Sequence, residues 1–382
     1  MKNTNLESLR DEIDGVDSQI VGLLNQRVQA AAKIGRIKDE LGVDPYDPAR
    51  EEQVFEKLEN LNLGPLTKDS LQVIYREVIS ASIALEKKLI IGYLGPEATY
   101  THQAAVNNFG STLEYHPLPD IPDVFQAVEA GECDYGVVPI ENSTEGAVNR
   151  SLDLLVESDL TIVAQVYLKV EHSLFSFSPL EEIVEVRSKD QALAQCSDWL
   201  RRNLPNARLV PYSSTAEAVR SLSAGSSIAA IAGNLAGRIY TVPSQAEGIQ
   251  DRKNNVTRFL VVARKPLPQR DEVKYRTSLV LSLPDQIGAL QNALKSFSDR
   301  ELNLCKIESR PSRLKRWDYY FFVDFIGHRE DKKVKEVMDE LEKAIKQLKK
   351  EMQRAAKDLD FILAASIRDQ IIALEKLKDS FL

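Results

Sequence analysis

Apolar residues near the start of the chain recur in alternating steps of three and four: Leu6, Leu9, Ile13, Val16, Ile20, Leu23, Ala31, Ile34 and Leu41. That period lines them up on one stripe, so the spacing predicts one long amphipathic helix over 6–41. Pro45 and Pro48 end it, a shorter helix is expected over 49–61, and Gly64-Pro65 stops that one. Thr67 is placed to cap a third helix carrying Leu71, Ile74, Tyr75, Val78 and Leu85. At 1.5 Å per residue the first helix is about 50 Å long. Three helices of such shape in under a hundred residues cannot enclose a compact core alone, so pairing with a second copy, as a homodimer or higher homo-oligomer, is expected.

From Leu89 the texture changes to short apolar runs separated by helical stretches, which is an α/β pattern. Strands are expected at 89–94, 135–140, 160–170, 228–232 and 259–263, with helices at 123–130, 191–200 and 215–222. The region 89–264 thus forms one or two sheet-based lobes. A polar, proline-bearing linker at 265–272 precedes a small unit with strand, helix, two strands and helix in the order βαββα. Strands are expected there at 277–283, 302–308 and 318–326, and helices at 286–297 and from about 332. The last helical period runs on through Val334, Met338, Leu341 and Ile345, and a second follows over 361–377, which predicts an appended helical hairpin. The fold class is multidomain: an all-α three-helix unit, a sheet-based α/β region, an α+β (βαββα) unit and a C-terminal α-hairpin.

Composition narrows the partners. The chain of 382 residues has a net charge of -8 with acids and bases interspersed, so it lacks the basic footprint of a nucleic-acid binder. Small anionic ligands therefore need locally placed cations. The polar start, with no long apolar run, predicts neither signal peptide nor membrane contact, and the cytoplasm is the expected compartment. Cys133, Cys196 and Cys305 lack the paired spacing of a metal site or disulfide framework and are read as reduced, structural thiols, with no metal implied.

Those cations sit in the helical segment. Arg27 and Lys38 are eleven residues apart, nearly on one face and about 16 Å apart in rise, so their long side chains can lean together. Arg10 is seventeen residues before Arg27, about 25 Å along the axis, and can share a small ligand with it only from a second subunit. Taken singly, each is an ordinary solvated charge. As a set, Leu9-Arg10, Ile13-Asp14, Leu23-Leu24 with Arg27, Gly35-Arg36-Ile37-Lys38 and the run 45–51 resemble the all-helical chorismate mutase family over about ninety residues. The resemblance implies that Arg10 of the other subunit and Arg27 bind the carboxylates of chorismate and that Lys38 donates to its ether oxygen. It also implies that Asp47 and Arg50 order the site, that Glu51 takes a substrate hydroxyl, and that Ser82 lies among the substrate contacts. A pericyclic rearrangement needs only such a clamp and cations at the breaking C–O bond. One departure is Glu86, four residues after Ser82, where many members carry glutamine. Only its protonated form can donate to the ether oxygen.

In the α/β region, the runs 95–102 and 139–146 place hydroxyls and amides, among them Thr99, Asn142, Ser143 and Thr144, at strand ends where open α/β sheets bind ligands. Ordinary helix capping accounts for each hydroxyl alone, and a packing role for His102. With the runs 188–196, Ser214-Thr215-Ala216, 229–232 and Asn255-Val256-Thr257-Arg258-Phe259, they resemble prephenate dehydratase over about 175 residues in family order. The resemblance implies two α/β lobes with the site between them, Thr257 as the catalytic hydroxyl with Arg258 and Phe259 beside it, and substrate contacts from Thr99, Asn142, Ser143, Thr144 and Thr215. Arg258 is a candidate for a substrate carboxylate or for pairing with a protein acid. Departures are Ala98 for the usual glycine and Lys189-Asp190 for the common His-Pro. Neither reaction calls for a metal or organic cofactor.

Finally, Gly288-Ala289-Leu290 at a helix start and Glu308-Ser309-Arg310-Pro311 at a strand end resemble the phenylalanine-binding motifs of the ACT domain, though Gly288 alone fits plain helix initiation, and the segment 348–371 resembles a UVR helical hairpin that pairs with another such hairpin, with an oligomerisation coiled coil as the alternative. The resemblances divide the chain into a chorismate mutase unit at 1–88, a dehydratase at 89–265, an ACT domain at 274–345 and a UVR-like hairpin at 346–382. They imply conversion of chorismate to prephenate and then to phenylpyruvate under feedback by phenylalanine. Two other readings fit the sequence: a monofunctional dehydratase whose helices only dimerise, and a non-catalytic amino-acid sensor.

Overall fold

The first three helices follow the apolar period and stop where their caps allow. In a computed structural model, which describes residues 2–270, 273–283, 287–311 and 319–340, they are α1 (Lys2–Glu40), α2 (Pro48–Leu61) and α3 (Lys68–Glu86). Asp47 caps α2 by accepting from Arg50 N at 2.9 Å, with Pro48 at the first helical position, and Thr67 caps α3 by accepting from Ser70 N at 3.1 Å. Both α1 and α2 lie along α3. The first half of α1 leaves its apolar stripe in the open: Leu6, Leu9, Ile13, Val16, Ile20 and Leu23 are each exposed.

The chain divides into two compact units, one of Met1–Leu155 with Leu160–Leu267 and the other of Val156–Asp159 with Pro268–Leu382. In the first, the helices are followed by β1 (Ile90–Leu94), α4 (Tyr100–Phe109), β2 (Glu114–Leu118), α5 (Ile121–Ala130), β3 (Tyr135–Asn142), β4 (Gly146–Ala147), α6 (Asn149–Glu157) and β5 (Thr161–Lys169). A second sheet region holds β6 (Ser173–Phe175), β7 (Glu185–Ser188), α7 (Asp190–Gln195), α8 (Ser197–Asn203), β8 (Arg208–Pro211), α9 (Thr215–Arg220), β9 (Ile228–Ala232), α10 (Asn234–Ile239) and β10 (Ser244–Ala246). The chain then returns to the first sheet as β11 (Val256–Ala263).

Two lobes result. The first sheet runs β2-β1-β3-β11-β5, parallel through β1, β2 and β3, with β11 antiparallel between β3 and β5 and β4 beside β3. The second runs β10-β6-β9-β7-β8. Only residues 170–172 and 247–255 connect them, so anything held on these crossovers sits between the lobes. Lobe 1 shares its core with the helices: Tyr46, Ile79 and Ile83 pack in one cluster with Ile91, Tyr93, Phe109, Tyr135 and Phe259.

One expected helix proves to be two. The segment 191–200 breaks at Cys196, because the Asp251 carboxylate accepts from Ser197 Oγ at 3.1 Å, Asp198 N at 3.1 Å and Trp199 N at 3.3 Å and so caps a fresh helix there. The expected helix at 123–130 begins two residues earlier, behind a capping box of Asp120 and Asp123.

The second unit contains β12 (Arg276–Ser282), α11 (Ala289–Ser298), β13 (Leu304–Pro311), β14 (Tyr319–Ile326) and α12, helical from 332 to the last described residue, 340. The βαββα order is as expected. Its antiparallel sheet runs β12-β14-β13 and packs Leu279, Leu281, Val323 and Phe325 against Ala293, Phe297, Val334 and Val337. The hairpin expected at 346–382 lies outside the described residues. Cys133 and Cys196 are buried thiols, but Cys305 is exposed on the edge strand β13, so the structural role expected of it rests on no burial. Among the described residues no helix is long and apolar enough to cross a membrane.

Candidate active sites

On the helices, α1 and α3 bring several of the expected residues together. Arg27 Nη1 donates to Ser82 Oγ at 2.8 Å and to Val78 O at 3.4 Å. Lys38 Nζ donates to Pro45 O at 2.9 Å. Both cations thus rest on neutral oxygens of the protein, and an anionic ligand would offer them a stronger partner. Glu86 lies against α1 at Gly35, where even a methyl group would stand 2.5 Å from its Cγ, so glycine is required for this approach. Burial raises the Glu86 carboxyl above its ordinary range, with Lys38 working against the rise. Among the described residues its buried Oε2 has no hydrogen-bond partner.

Glu51 is buried and paired with Arg76, which also lies over the Phe55 ring at 4.9 Å. Burial pushes the Glu51 carboxyl up and Arg76 pulls it back. Asp47 holds the first turn of α2, while Arg50 is exposed and reaches Gln53 at 3.3 Å. Arg10 lies on the exposed half of α1, far along the helix from Arg27 and Lys38. Arg76 was not among the expected residues, since nothing in a helical period announces a partner 25 residues away.

The second site is a chain of amides. Backbone N–H groups of Thr144 and Glu145 donate to Asn142 Oδ1 at 2.9 and 3.2 Å, which fixes the orientation of that amide. Asn142 Nδ2 must then be the donor to Thr257 Oγ1 and to Asn255 Oδ1, each at 2.8 Å. Asn255 Nδ2 in turn donates to Gln195 Oε1 at 3.1 Å, and Gln195 Nε2 to Glu145 Oε1 at 3.2 Å. Since Gln195 Oε1 only accepts, His172 Nε2, 2.9 Å away, carries a proton. Burial lowers the His172 pKa and so favours the neutral ring. In that tautomer Nδ1 is an acceptor, and the Tyr100 hydroxyl, 2.7 Å from it and 2.9 Å from Glu171 O, shares its one proton between the two. The result for Thr257 is directional: its oxygen already accepts, so its own proton is available to whatever occupies the cleft.

The crossovers explain how these groups meet. His172 and Asn255 lie on the two connections between lobes, Gln195 ends α7 in lobe 2, and Asn142 and Thr257 are register partners on β3 and β11 of lobe 1. Tyr100, Gln195 and Asn255 fell within sequence runs singled out above; His172 lay in none of them and carried only the weak signal of a polar group after a strand.

Other expected residues are placed differently. Ser143 and Thr144 cap no helix; they belong to the turn between β3 and β4, with Ser143 Oγ accepting from Val256 N at 2.9 Å and donating to Asn254 O at 3.1 Å. Thr99 caps α4 and donates to Leu94 O at 3.0 Å. Thr215 opens α9, whose cap is Ser214. Arg258 is buried beside Glu141, its Nη1 4.0 Å from the carboxylate, on the face of β11 opposite Thr257. That favours the protein acid over the substrate carboxylate. Phe259 is 1% exposed and packs in the lobe 1 core, so the expected substrate contact is replaced by a packing role. Ala98 adopts φ +67°, the left-handed conformation natural to the family's glycine. His102 stacks on Tyr93 with centroids 4.5 Å apart, and its Nδ1 accepts from Ala98 N at 3.0 Å. Burial lowers its pKa to about 4.

In the second unit, Gly288 precedes α11 at φ +85°, which explains the glycine by backbone conformation; Ala289 and Leu290 begin the helix. Glu308 and Arg310 share one face of β13, and Ser309 and Pro311 the other, exposed one.

A cation-bearing helical unit joined to a two-lobed α/β cleft with an aimed threonine hydroxyl defines an enzyme with two separate sites for small molecules. Comparison with known proteins agrees. The chain matches the family models for chorismate mutase type II over residues 9–87, prephenate dehydratase over 91–267 and the UvrB/uvrC motif over 342–377. It is 42% identical over 343 residues to the bifunctional chorismate mutase/prephenate dehydratase of Aquifex aeolicus, covering 88% of this chain and 94% of that one. The protein of the same description from Neisseria gonorrhoeae is 42% identical over 336 residues, covering 87% and 92%. The prephenate dehydratase of Arthrobacter aurescens, solved in complex with L-Phe, superposes with a TM-score of 0.61 at 33% identity, covering 66% of this chain and 85% of that one. The chain belongs to the bifunctional chorismate mutase/prephenate dehydratase family. It is an enzyme of phenylalanine biosynthesis with both activities, which sets aside the monofunctional and sensor readings.

Proposed function

We propose that the two reactions are carried by the residues assembled above. In the mutase, Arg27 and Arg10 of a second copy hold the two carboxylates of chorismate, while Lys38 and protonated Glu86 meet the ether oxygen as its C–O bond breaks and a C–C bond forms. Ser82 orients Arg27, Arg76 orients Glu51 toward a substrate hydroxyl, and Asp47 and Arg50 order the first turn of α2. The exposed apolar stripe on α1 supports the two-copy arrangement.

In the dehydratase, Thr257 donates its proton to the departing hydroxyl of prephenate and regains one from solvent, so one proton is consumed per turnover. The C–O bond breaks to give water, the carboxylate leaves as CO2, and the electron pair of the broken C–C bond completes the aromatic ring. Thr99, Ser143, Thr144 and Thr215 lie on the segments bordering this cleft and hold the substrate. The observation that carries this reading is the Asn142 amide, pinned by two backbone N–H groups and donating to Thr257. Phenylalanine, with which the Arthrobacter relative was solved in complex, acts as the feedback inhibitor of this chain, bound at 288–290 and 308–311 of an ACT domain at 274–345. The enzyme works in the cytoplasm as a homo-oligomer, and the carboxy-terminal segment recruits a UVR-type helical partner.

A coupled assay from chorismate tests the assignment. Thr257→Ala is expected to accumulate prephenate, with dehydratase turnover down about 1000-fold and mutase turnover unchanged. Lys38→Ala is expected to block the first step by a similar factor yet still consume added prephenate, and phenylalanine should slow the second step. Dehydratase turnover retained in Thr257→Ala, or mutase turnover retained in Lys38→Ala, would refute the corresponding site.

A further inference from the structure

The walls of the mutase site are fastened to six residues of the dehydratase lobe. Lys38 rests on the carbonyl of Pro45, and the next residue, Tyr46, precedes the Asp47 cap of the helix that carries Arg50 and Glu51. Tyr46 is 1% exposed, and what covers it comes from lobe 1: its ring centroid is 4.6 Å from Phe109 and 5.1 Å from Tyr135. Asn108 Nδ2 donates to the Tyr46 hydroxyl at 2.8 Å, and the Tyr135 hydroxyl donates to Asp44 Oδ1.

The opposite wall is held from the same place. Ser111 donates to Glu77 through its backbone N–H at 3.0 Å and its hydroxyl at 2.7 Å, and the hydroxyls of Ser80 and Thr112 are 2.6 Å apart. These points on α3 flank Val78 and precede Ser82, the two residues on which Arg27 rests. Gly110, at φ +80°, lets the contact close: a methyl group there would stand 2.3 Å from Ser80 Cβ. Residues 108–112 thus touch both the turn behind Lys38 and the helix behind Arg27, and no side chain among them reaches the substrate contacts themselves.

We propose that residues 108–112 of the dehydratase lobe, with Tyr135, position the mutase site, fixing the separation of its Lys38 wall from its Arg27 wall. The effect on rate is geometric. A clamp that works by folding its substrate depends steeply on spacing, and misplacement by about 1 Å can cost about 100-fold. Asn108 and Tyr135 are therefore positioning residues for a reaction that takes place in the other part of the unit. This rests on the assignment of Lys38 and Arg27 to the mutase site.

The test uses the full chain with Tyr135→Phe, which removes only the hydroxyl on Asp44, and Asn108→Ala, which removes the donor to Tyr46. Neither residue has a part in the dehydratase network. Well below the thermal midpoint, each is expected to lower mutase kcat about tenfold while KM for chorismate changes less than threefold, with dehydratase kcat/KM for added prephenate within twofold of wild type. Asn108→Gln, which keeps the amide donor on a longer arm, should recover part of the loss. If mutase kcat is unchanged while the midpoint drops, the contacts are only structural and the proposal falls. A parallel loss of both activities overturns it too. Lys38→Ala separates the two levels: if it abolishes mutase turnover while Tyr135→Phe and Asn108→Ala do not affect it, only the positioning role is wrong; if it leaves turnover intact, the site assignment fails and takes the positioning role with it.

Discussion

The two sites of this chain are built from opposite materials. The mutase cluster uses long charged side chains, Arg27 and Lys38, resting on neutral oxygens of the protein, and a carboxyl, Glu86, whose buried oxygen has no described partner. The dehydratase cleft uses short neutral groups, Asn142, Asn255, Gln195 and Thr257, already joined to one another. On the assignment proposed above, the first arrangement is completed by its ligand and the second is preset. That suits the chemistry. A rearrangement asks for counter-charges around a dianion, whereas an elimination asks for one proton held at one place. The sites meet in α4, which starts at Tyr100 in the amide network and ends at Phe109 behind the mutase wall.

The sharpest way to break this contrast is to cut the amide chain. Asn142→Ala removes the donor that turns the Thr257 proton toward the cleft, and is expected to lower dehydratase kcat about 100-fold, with mutase kcat within twofold. Asn142→Asp should fare no better, because an aspartate cannot donate to Thr257 when ionised. If either variant keeps its dehydratase rate in a prephenate assay, the preset network is not what aims the hydroxyl.

The same contrast governs what could be read from the chain. Helices α1 to α3, the βαββα order and the apolar strands β1, β3, β5, β9 and β11 were legible, because each follows from a local period or run; the short strands β2, β4, β6, β7, β8 and β10 were not, because runs of two to five residues carry too little pattern of their own. Spacing put Arg27 and Lys38 on one face of α1, but they and Glu86 were singled out by the resemblance to chorismate mutase, not by any period. In the dehydratase network Tyr100, Gln195 and Asn255 lay in quoted runs beside Asn142 and Thr257, but nothing in those runs showed that they join. His172, Gln195 and Asn255 come from three segments joined only by the lobe crossovers, and Arg76 finds Glu51 across a helix pair. The break at Cys196 was hidden likewise, since its cause is Asp251, more than fifty residues on. Phe259 and Arg258 drew attention as neighbours of Thr257, but alternation along β11 sends Arg258 to the other face and the core claims Phe259. Periodicity reports faces, not tertiary partners.

A smaller effect sharpens the comparison from the mutase side. Burial raises the Glu86 carboxyl, and only its protonated form can donate to the ether oxygen. On the donor role proposed for Glu86, mutase kcat is expected to be highest on the acid side of that raised pKa and to fall as pH rises through it, by about tenfold per unit once the proton is lost. Glu86→Gln should flatten the mutase profile while leaving the dehydratase profile as it was. Parallel mutase profiles for the two proteins would remove the donor role from Glu86.

Acid should act in the opposite sense on the lobe that carries the dehydratase. His102, stacked on Tyr93 with Nδ1 accepting from Ala98 N, has its pKa lowered by burial to about 4, against about 6.5 in the unfolded chain. Above about pH 6.5 the ring is neutral in both states and costs nothing. As pH falls below that value the unfolded chain takes up a proton that the folded lobe refuses, so stability declines progressively until about pH 4, where the folded ring also protonates. At 1.36 kcal/mol per unit, the loss between pH 6.5 and pH 5 is about 2 kcal/mol. His102→Asn keeps an acceptor near Ala98 N and removes the titrating ring. Its thermal midpoint should start somewhat below that of the wild type at pH 7.5, because the stacking on Tyr93 is lost, but should fall several degrees less on going to pH 5. An equal drop in the two proteins would mean that the acid sensitivity of the lobe lies elsewhere. With the expected result, the acid end of the pH range would favour mutase chemistry while it loosens the fold around the dehydratase.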